Sequence, residues 1–156
     1  MKFLVRDAQA GDAPLVEALI GQHWRVNLDY RKEAKSKDAV FLVAEGSVNR
    51  ATGGRKVLGA ALMWVSRWNR TGYLVELAVD KSHRREGIGT RLMGVLKRRA
   101  KARRLRAIIV ETQPDSKVAM DFYIKRGLRM CGYNDRYYTN RPTNSHQIAI
   151  FFSLDL

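Results

Sequence analysis

The chain has 156 residues, 46% of them apolar, with 29 Lys and Arg against 15 Asp and Glu for a formal net charge of +14. That length suits one domain with a full core, the apolar share excludes a disordered chain, and no apolar run approaches the roughly 20 residues that cross a bilayer. The single cysteine, Cys131, excludes an intrachain disulfide and any Cys-rich metal site.

The opening MKFLVRDAQAGD has no long apolar stretch before Arg6 and Asp7, so no signal peptide is read and the cytoplasm is the expected compartment. FLVRDA (3–8) reads as a short strand. Asp12 is placed to cap a helix with Pro14 in its first turn, and Leu15, Val16, Leu19, Ile20 and His23 follow helical spacing. Residues 27–38 are polar and Lys-rich, a weaker helix or a loop. VFLVAEG (40–46) and KVLGAALMWVS (56–66) read as strands, with the turn signal Gly53-Gly54 between them. YLVELAVD (73–80) looks like a buried central strand. A helix over about 88–103 follows, with Ile88, Leu92, Leu96 and Ala100 on one face and Arg91, Lys97, Arg98, Lys101 and Arg104 mainly on the other.

LRAIIVET (105–112) is a strand ended by Pro114. A helix over about 116–126 starts at Asp115 or Ser116 and closes at Gly127. Two strand-like runs, 128–139 and 146–155, flank the turn NRPTNS. With no repeat or linker, residues 1–156 form one mixed α/β domain in the order β-α-α-β-β-β-α-β-α-β-β.

The strongest chemical signal is Arg84-Arg85-Glu86-Gly87-Ile88-Gly89-Thr90, between a strand and a helix. Glycines let backbone approach a ligand, free N–H groups at a helix start cradle an anion, and two arginines add charge beside it. Together these make a pyrophosphate site. The loop lacks the Gly-Lys-Ser/Thr ending of a P-loop and lacks GxGxxG. An ordinary strand-to-helix turn with two glycines is the structural alternative.

Leu77-Ala78-Val79-Asp80 followed by Arg84-x-x-Gly87-x-Gly89 resembles the acetyl-CoA motif of the GNAT superfamily of N-acetyltransferases. Ser116-x-x-Ala119-x-x-Phe122-Tyr123-x-x-x-Gly127-Leu128 resembles its second signature, with Ser116 where Asn is usual and Leu128 where Phe is usual. Trp68-Asn69, Glu111-Thr112-Gln113, Gly132-Tyr133-x-Asp135-x-x-Tyr138 and Gln147-Ile148-Ala149 are similar to streptothricin acetyltransferases over about residues 57–155. The resemblance implies a GNAT-type fold whose central parallel strands, 73–80 and 105–112, splay to admit the pantetheine arm of acetyl-CoA. It implies that backbone of Leu77, Ala78 and Val79 pairs with that arm and offers an oxyanion donor. It also implies that Arg84, Arg85, Gly87, Ile88, Gly89, Thr90, Ser116, Ala119 and Phe122 hold the donor, and that the Tyr123 phenol is the acid for the departing thiolate.

A lysine-like amine has a pKa of about 10.4, so its acetylation needs a base. Glu76 interrupts an apolar strand. Plain alternation puts it opposite Leu77 and on one face with Leu74 and Ala78, where burial raises a carboxyl pKa. Glu111, ending the next strand, is the other candidate base, an amine ligand or a structural anchor. Tyr133, Asp135, Arg136, Tyr137 and Tyr138 either line an acceptor pocket or decorate an edge hairpin. His83 reads as a solvated loop residue, His23 as part of the first helix, and His146 as a strand start, with no metal spacing among them. Cys131 reads as a small buried residue.

The expected reaction is acetyl transfer from acetyl-CoA to a primary amine, on a small molecule (an antibiotic among them) or on a protein lysine or N-terminus. The alternatives are a non-catalytic acyl-CoA module and a basic nucleic-acid binder. The run Lys97–Arg104 is the densest in charge, yet it carries no interleaved aromatic residue and no helix-turn-helix or zinc signature accompanies it. No metal and no membrane partner is expected, and the sequence leaves monomer and homodimer both open.

Overall fold

In the computed structural model the structure describes residues 2–21, 28–46, 54, 56–139 and 148–156. The expectations for His23, Gly53, His146, Gln147 and the turn 140–145 lie outside the described residues. Among the described residues the strands are β1 (Phe3–Asp7), β2 (Ala39–Gly46), β3 (Lys56–Ser66), β4 (Thr71–Val79), β5 (Ala107–Thr112), β6 (Arg129–Asn134) and β7 (Ala149–Asp155). They form one sheet in the order β1-β2-β3-β4-β5-β7-β6. Each neighbouring pair is antiparallel except β4 and β5, which run parallel. The helices are α1 (Ala13–Ile20), α2 (Tyr30–Glu33), α3 (Ile88–Ala102) and α4 (Lys117–Lys125).

Side-chain alternation divides the core between the two faces of the sheet. On one face Leu42, Met63, Leu74, Ile108 and Val110 meet Ile88, Leu92 and Leu96 of α3 and Tyr123 of α4. On the other, Phe41, Val43, Ala60 and Leu62 meet Val16 and Ile20 of α1 and Tyr30 of α2. The four-residue rhythm of α3 is realised, because Ile88, Leu92, Leu96 and Ala100 are all buried. Burial of each large apolar side chain contributes about 1.5–3 kcal/mol. Gly59 of β3 lies under the start of α3. A Cβ there would stand 2.8 Å from Ile88 Cγ2 and 3.1 Å from both the Ala78 carbonyl and Leu92 Cδ1. The absent side chain sets how closely α3 approaches β3 and β4.

Four local expectations need correction. Asp12 holds the position before α1 but makes no capping bond with its side chain. It is buried and accepts from the Arg6 guanidinium at 2.7 and 2.9 Å and from the Gln9 N–H at 2.8 Å. A buried carboxylate is better matched by a charged fork than by helix N–H groups. Ser116 likewise precedes α4 without a capping bond from its hydroxyl. Cys131 is exposed, not buried, because β6 is the sheet edge and the register shifts between Met130 and Gly132. His83 is not simply solvated: its ring is 18% exposed and its Nδ1 lies 3.1 Å from Asp80 Oδ1.

Gly59→Ala is expected to lower the unfolding free energy by about 1–3 kcal/mol through overpacking against the Ala78 carbonyl and Ile88. The check is a fall in the urea midpoint at unchanged m-value; an unchanged midpoint refutes the tight fit.

Candidate functional site

β4 and β5 pair only from Thr71 opposite Ala107 to Leu74 opposite Val110. Both strands continue, β4 to Val79 and β5 to Thr112, so they part beyond that point. A bulge accompanies the parting. Leu62 of β3 faces Glu76 while Met63 faces Leu74, which leaves Val75 as an extra residue. Past the bulge, the β5-facing backbone of β4, including Leu77, Ala78 and Val79, has no strand partner. Unpaired backbone beside a gap takes a partner from solvent or from a ligand laid in as an added strand.

The bulge corrects the face assigned to Glu76. Leu74 pairs Met63 in the α3/α4 core, whereas Glu76 pairs Leu62 in the α1/α2 core, with Ala78. Glu76 shares a face with Ala78 as expected and not with Leu74, because the extra residue interrupts strict alternation.

The β4–α3 connection is held by Asp80. Its carboxylate accepts from the Ser82 N–H at 2.8 Å, meets His83 Nδ1 and lies 3.5 Å from Lys56 Nζ. The bond with His83, followed by that with Ser82, holds its pKa below the usual range. Arg85 (φ 66°) and Gly87 (φ 83°) are both left-handed, and together they turn the chain into α3. The first bond of α3 runs from the Arg91 N–H to the Gly87 carbonyl, so the N–H groups of Ile88, Gly89 and Thr90 have no acceptor one turn back. Arg84 and Arg85 are exposed beside them. This combination of free N–H groups, helix dipole and two guanidinium groups suits a pyrophosphate. The Ile88 side chain is buried in the core, so only its backbone is available to a ligand. Gly89 faces α4: a Cβ there would lie 3.4 Å from the Phe122 ring, an ordinary van der Waals contact, so only a larger side chain would crowd this position. Ala119 and Phe122 are partly buried against the same core, and the Arg126 guanidinium lies 5.7 Å from the centroid of Phe122.

Tyr123 is 7% exposed and packs edge-on against Phe122 and at a tilt against Phe152. Burial, and then the charges of Glu111 and Glu76, push its phenol above the ordinary range, so it stays protonated at neutral pH. Among the described residues, the one fully buried side-chain polar atom without a hydrogen bond is Arg126 Nε. The Tyr123 hydroxyl, which has no partner among those residues either, therefore keeps some access to solvent.

Glu76 is 9% exposed, and burial followed by the charge of Glu111 pushes its pKa up to about 7. Glu111 is also raised, chiefly by burial, while hydrogen bonding by Tyr138 and Tyr73 opposes the shift. The Tyr138 hydroxyl donates to Glu111 Oε2 at 2.9 Å, and the Tyr73 and Tyr137 hydroxyls share a bond of 2.6 Å. Tyr137 also packs at right angles on Tyr138 and Phe151. Of the tail residues considered, only Tyr137 and Tyr138 join this cluster; Tyr133, Asp135 and Arg136 are exposed. Sequence reasoning missed Tyr73 and Tyr30. Tyr73 meets a partner 64 positions away, which no local pattern reveals. Tyr30 sits close enough for the Glu76 charge to help raise its pKa, after burial.

A family model described as the acetyltransferase (GNAT) family matches residues 14–128. The chain belongs to that family. Streptothricin acetyltransferase A of Bacillus subtilis (strain 168) is 32% identical over 87 residues, 56% of this chain and 50% of the relative. N-alpha-acetyltransferase 30 of Schizosaccharomyces pombe (strain 972 / ATCC 24843) is 38% identical over 71 residues, 44% of this chain and 46% of the relative. The chain thus spans about half the length of the curated relatives it matches. A Bacillus anthracis str. Ames structure in complex with acetyl coenzyme A, carrying the streptothricin acetyltransferase name, superposes with TM-score 0.83 at 21% identity, covering 100% of this chain and 99% of that one. The ribosomal-protein-S18-alanine N-acetyltransferase of Escherichia coli superposes with TM-score 0.78 at 16% identity, covering 99% and 94%. These two likenesses establish the shared fold, including its mixed seven-stranded sheet.

The raised Glu76 pKa carries a stability signature. Folding favours the protonated form, so its full contribution is present below pH 4.5, the ordinary value, and is lost as pH rises through about 7. Glu76→Gln is expected to match the parent near pH 4 and to exceed it by on the order of 2 kcal/mol at pH 8. Urea unfolding at the two pH values reads this directly, and a pH-independent difference refutes it.

Proposed function

We propose that the protein transfers an acetyl group from acetyl-CoA to a primary amine by direct attack on the thioester. The observation that carries this reading is the gap between β4 and β5, with an anion cradle at its mouth and chemically distinct groups on its two faces. Strand register puts Glu76, Tyr73, Glu111 and Phe151 on the α1/α2 face, while Tyr123 belongs to the α3/α4 core. In this reading the pyrophosphate of the donor rests on the N–H groups of residues 88–90 with Arg84 and Arg85. Its pantetheine arm lies along Leu77–Val79, bringing the thioester into the gap.

The acceptor enters from the α1/α2 face. Its ammonium form is attracted by Glu76 and Glu111, and the Tyr73, Tyr137 and Tyr138 rings suit a cationic group. Glu76, with a pKa of about 7, takes the ammonium proton directly or through water. The free nitrogen attacks the thioester carbon while a backbone N–H of residues 77–79 stabilises the oxyanion. The C–S bond breaks and the thiolate takes the Tyr123 proton. The attacking nitrogen, now part of the amide, gives up its surplus proton, which returns through water to the Tyr123 phenolate, and Glu76 releases its proton to solvent. Glu111, already bonded by Tyr138, orients the amine. The acceptor is proposed to be a small-molecule amine, in line with the streptothricin acetyltransferase relatives. A protein N-terminus is the second reading, favoured by the 38% identical stretch shared with N-alpha-acetyltransferase 30.

Tyr123→Phe is expected to lower kcat by about 10²-fold or more while the calorimetric Kd for acetyl-CoA stays within about twofold. An unchanged kcat removes Tyr123 from the reaction. In the parent, kcat/KM should rise with pH through about 7 as Glu76 loses its proton, and Glu76→Gln should abolish that limb. A persisting limb transfers the base role to another group. Gly89→Arg should abolish acetyl-CoA binding by obstructing the cradle and the contact with Phe122; unchanged calorimetric affinity overturns the loop assignment. Thiol release across a panel of small amines and N-terminal peptides separates the two acceptor readings.

A further inference from the structure

Most of the positive charge is not at the anion cradle. At the opposite end of β4, the turn 67–70 and the segment 103–106 form one corner. The Arg106 N–H donates to the Arg70 carbonyl at 2.7 Å, and Arg106 Nε donates to the Asn69 carbonyl at 2.8 Å. The loop before β2 joins them, since Arg103 donates to the Lys37 carbonyl at 3.1 Å. The corner exposes Arg67, Arg70, Lys101, Arg103, Arg104 and Arg106. Its carboxylates are already engaged, Asp38 by Arg67 at 2.6 Å and Asp155 by Arg129 at 3.6 Å. Arg70 and Arg104 make no ion pair among the described residues. In their midst Trp68 is 88% exposed, the most exposed large apolar side chain among the described residues.

Two features set this corner apart from a merely solvated basic face. Arg70 (φ 54°) and Arg104 (φ 55°) hold left-handed backbone, where glycine or asparagine is less strained. Each thereby displays a guanidinium at a turn apex. Trp68 also supplies the aromatic surface that the run Lys97–Arg104 lacks in sequence, because the fold brings it from another element.

We propose that this corner binds single-stranded nucleic acid, with a base stacked on Trp68 and backbone phosphates on Arg70, Arg104 and Arg106. Stacking on an exposed aromatic ring combined with a cationic track is how single strands are held without sequence readout. Arginine suits phosphate through its planar fork. A bilayer surface is less well matched, because a single ring ringed by guanidinium groups offers no contiguous apolar patch to insert. The corner lies a full nine-residue strand from the anion cradle, roughly 25–30 Å by strand rise, so it does not compete with the donor site.

The test is fluorescence anisotropy of a labelled 12-nucleotide oligouridylate with the full chain between 50 and 200 mM salt. Trp68→Ala is expected to weaken binding about tenfold or more. The Arg70→Ala/Arg104→Ala double variant is expected to reduce the salt slope by about 1.4, two phosphates at about 0.7 each. Both variants should keep the parent's circular dichroism and thermal midpoint. A Lys81→Ala/Lys117→Ala control, equal in charge change to the double variant but beyond the opposite ends of β4 and β5, should change affinity less than either. No oligonucleotide binding at 50 mM salt overturns the proposal. So does an equal loss in the control, which would reduce the effect to bulk charge. Trp68-dependent capture by phosphatidylglycerol vesicles without Trp68-dependent oligonucleotide binding also overturns it, in favour of a membrane surface.

Discussion

A strand pair that stops pairing midway leaves backbone donors and acceptors facing a gap, and β4 and β5 do this beyond Leu74 and Val110. Such a gap is tolerable where it opens to solvent or to a ligand able to complete the hydrogen bonds. The Val75 bulge, on the β3 side of β4, accompanies it. A bulge adds local twist and re-aims the side chains after it. Here it turns Glu76 onto the α1/α2 face and leaves Leu77 and Val79 packing on the α3/α4 core. The other site features are arranged around this separation. α3 begins where β4 ends, Gly59 lets that helix start lie close to β3, and Tyr123 of α4 packs in the same core.

Burial is the leading cause of the upward shifts at Tyr123, Glu76 and Glu111, so all three ionisable groups lie in poorly hydrated surroundings. Their surroundings divide them. Glu111 accepts a hydrogen bond from Tyr138, which stabilises its charged form. Glu76 has no hydrogen-bond partner among the described residues, and the charge of Glu111 opposes its ionisation. Both carboxyl groups are raised, but one is hydrogen-bonded and the other is not, and such different surroundings suit different tasks. In the proposed reaction Glu76 exchanges protons, and the hydrogen-bonded Glu111 acts as a fixed charge. That physical difference, more than position along the strands, separates the proposed roles of the two glutamates.

What could be read from sequence was local. The strand 56–66 was found at its observed bounds because its continuous apolar run has only one plausible reading, and the buried face of α3 followed from four-residue spacing. The Arg/Gly turn into α3 was legible because glycine and arginine carry backbone and charge information in themselves. The missed features are pairwise and distant. Val75 becomes an extra residue only through its register with β3, and that single insertion explains the wrong neighbour assigned to Glu76. Asp12 had the right spacing for a cap, but the better partner was Arg6 on β1. Cys131 was judged by its residue type, whereas its exposure follows from β6 being the last strand of the sheet. The Tyr73–Tyr137 bond joins residues from opposite halves of the chain, and no periodicity encodes it.

The net charge of +14 bears on a cationic acceptor less than its size suggests. At physiological ionic strength, exposed charges are screened over about 8 Å, so the guanidinium groups at the far end of β4 exert little force at the gap. Inside the gap screening is weak, and there the facing groups are two carboxyl groups and several phenols. A cationic amine approaching the α1/α2 face therefore meets a local field of the opposite sign to the protein as a whole. In the proposed reaction the donor polyanion meets Arg84, Arg85 and free helix N–H groups at the other end of the same opening. In the proposed reaction, segregation of charge along β4, rather than its total, lets one small domain attract an anion and a cation to adjacent positions.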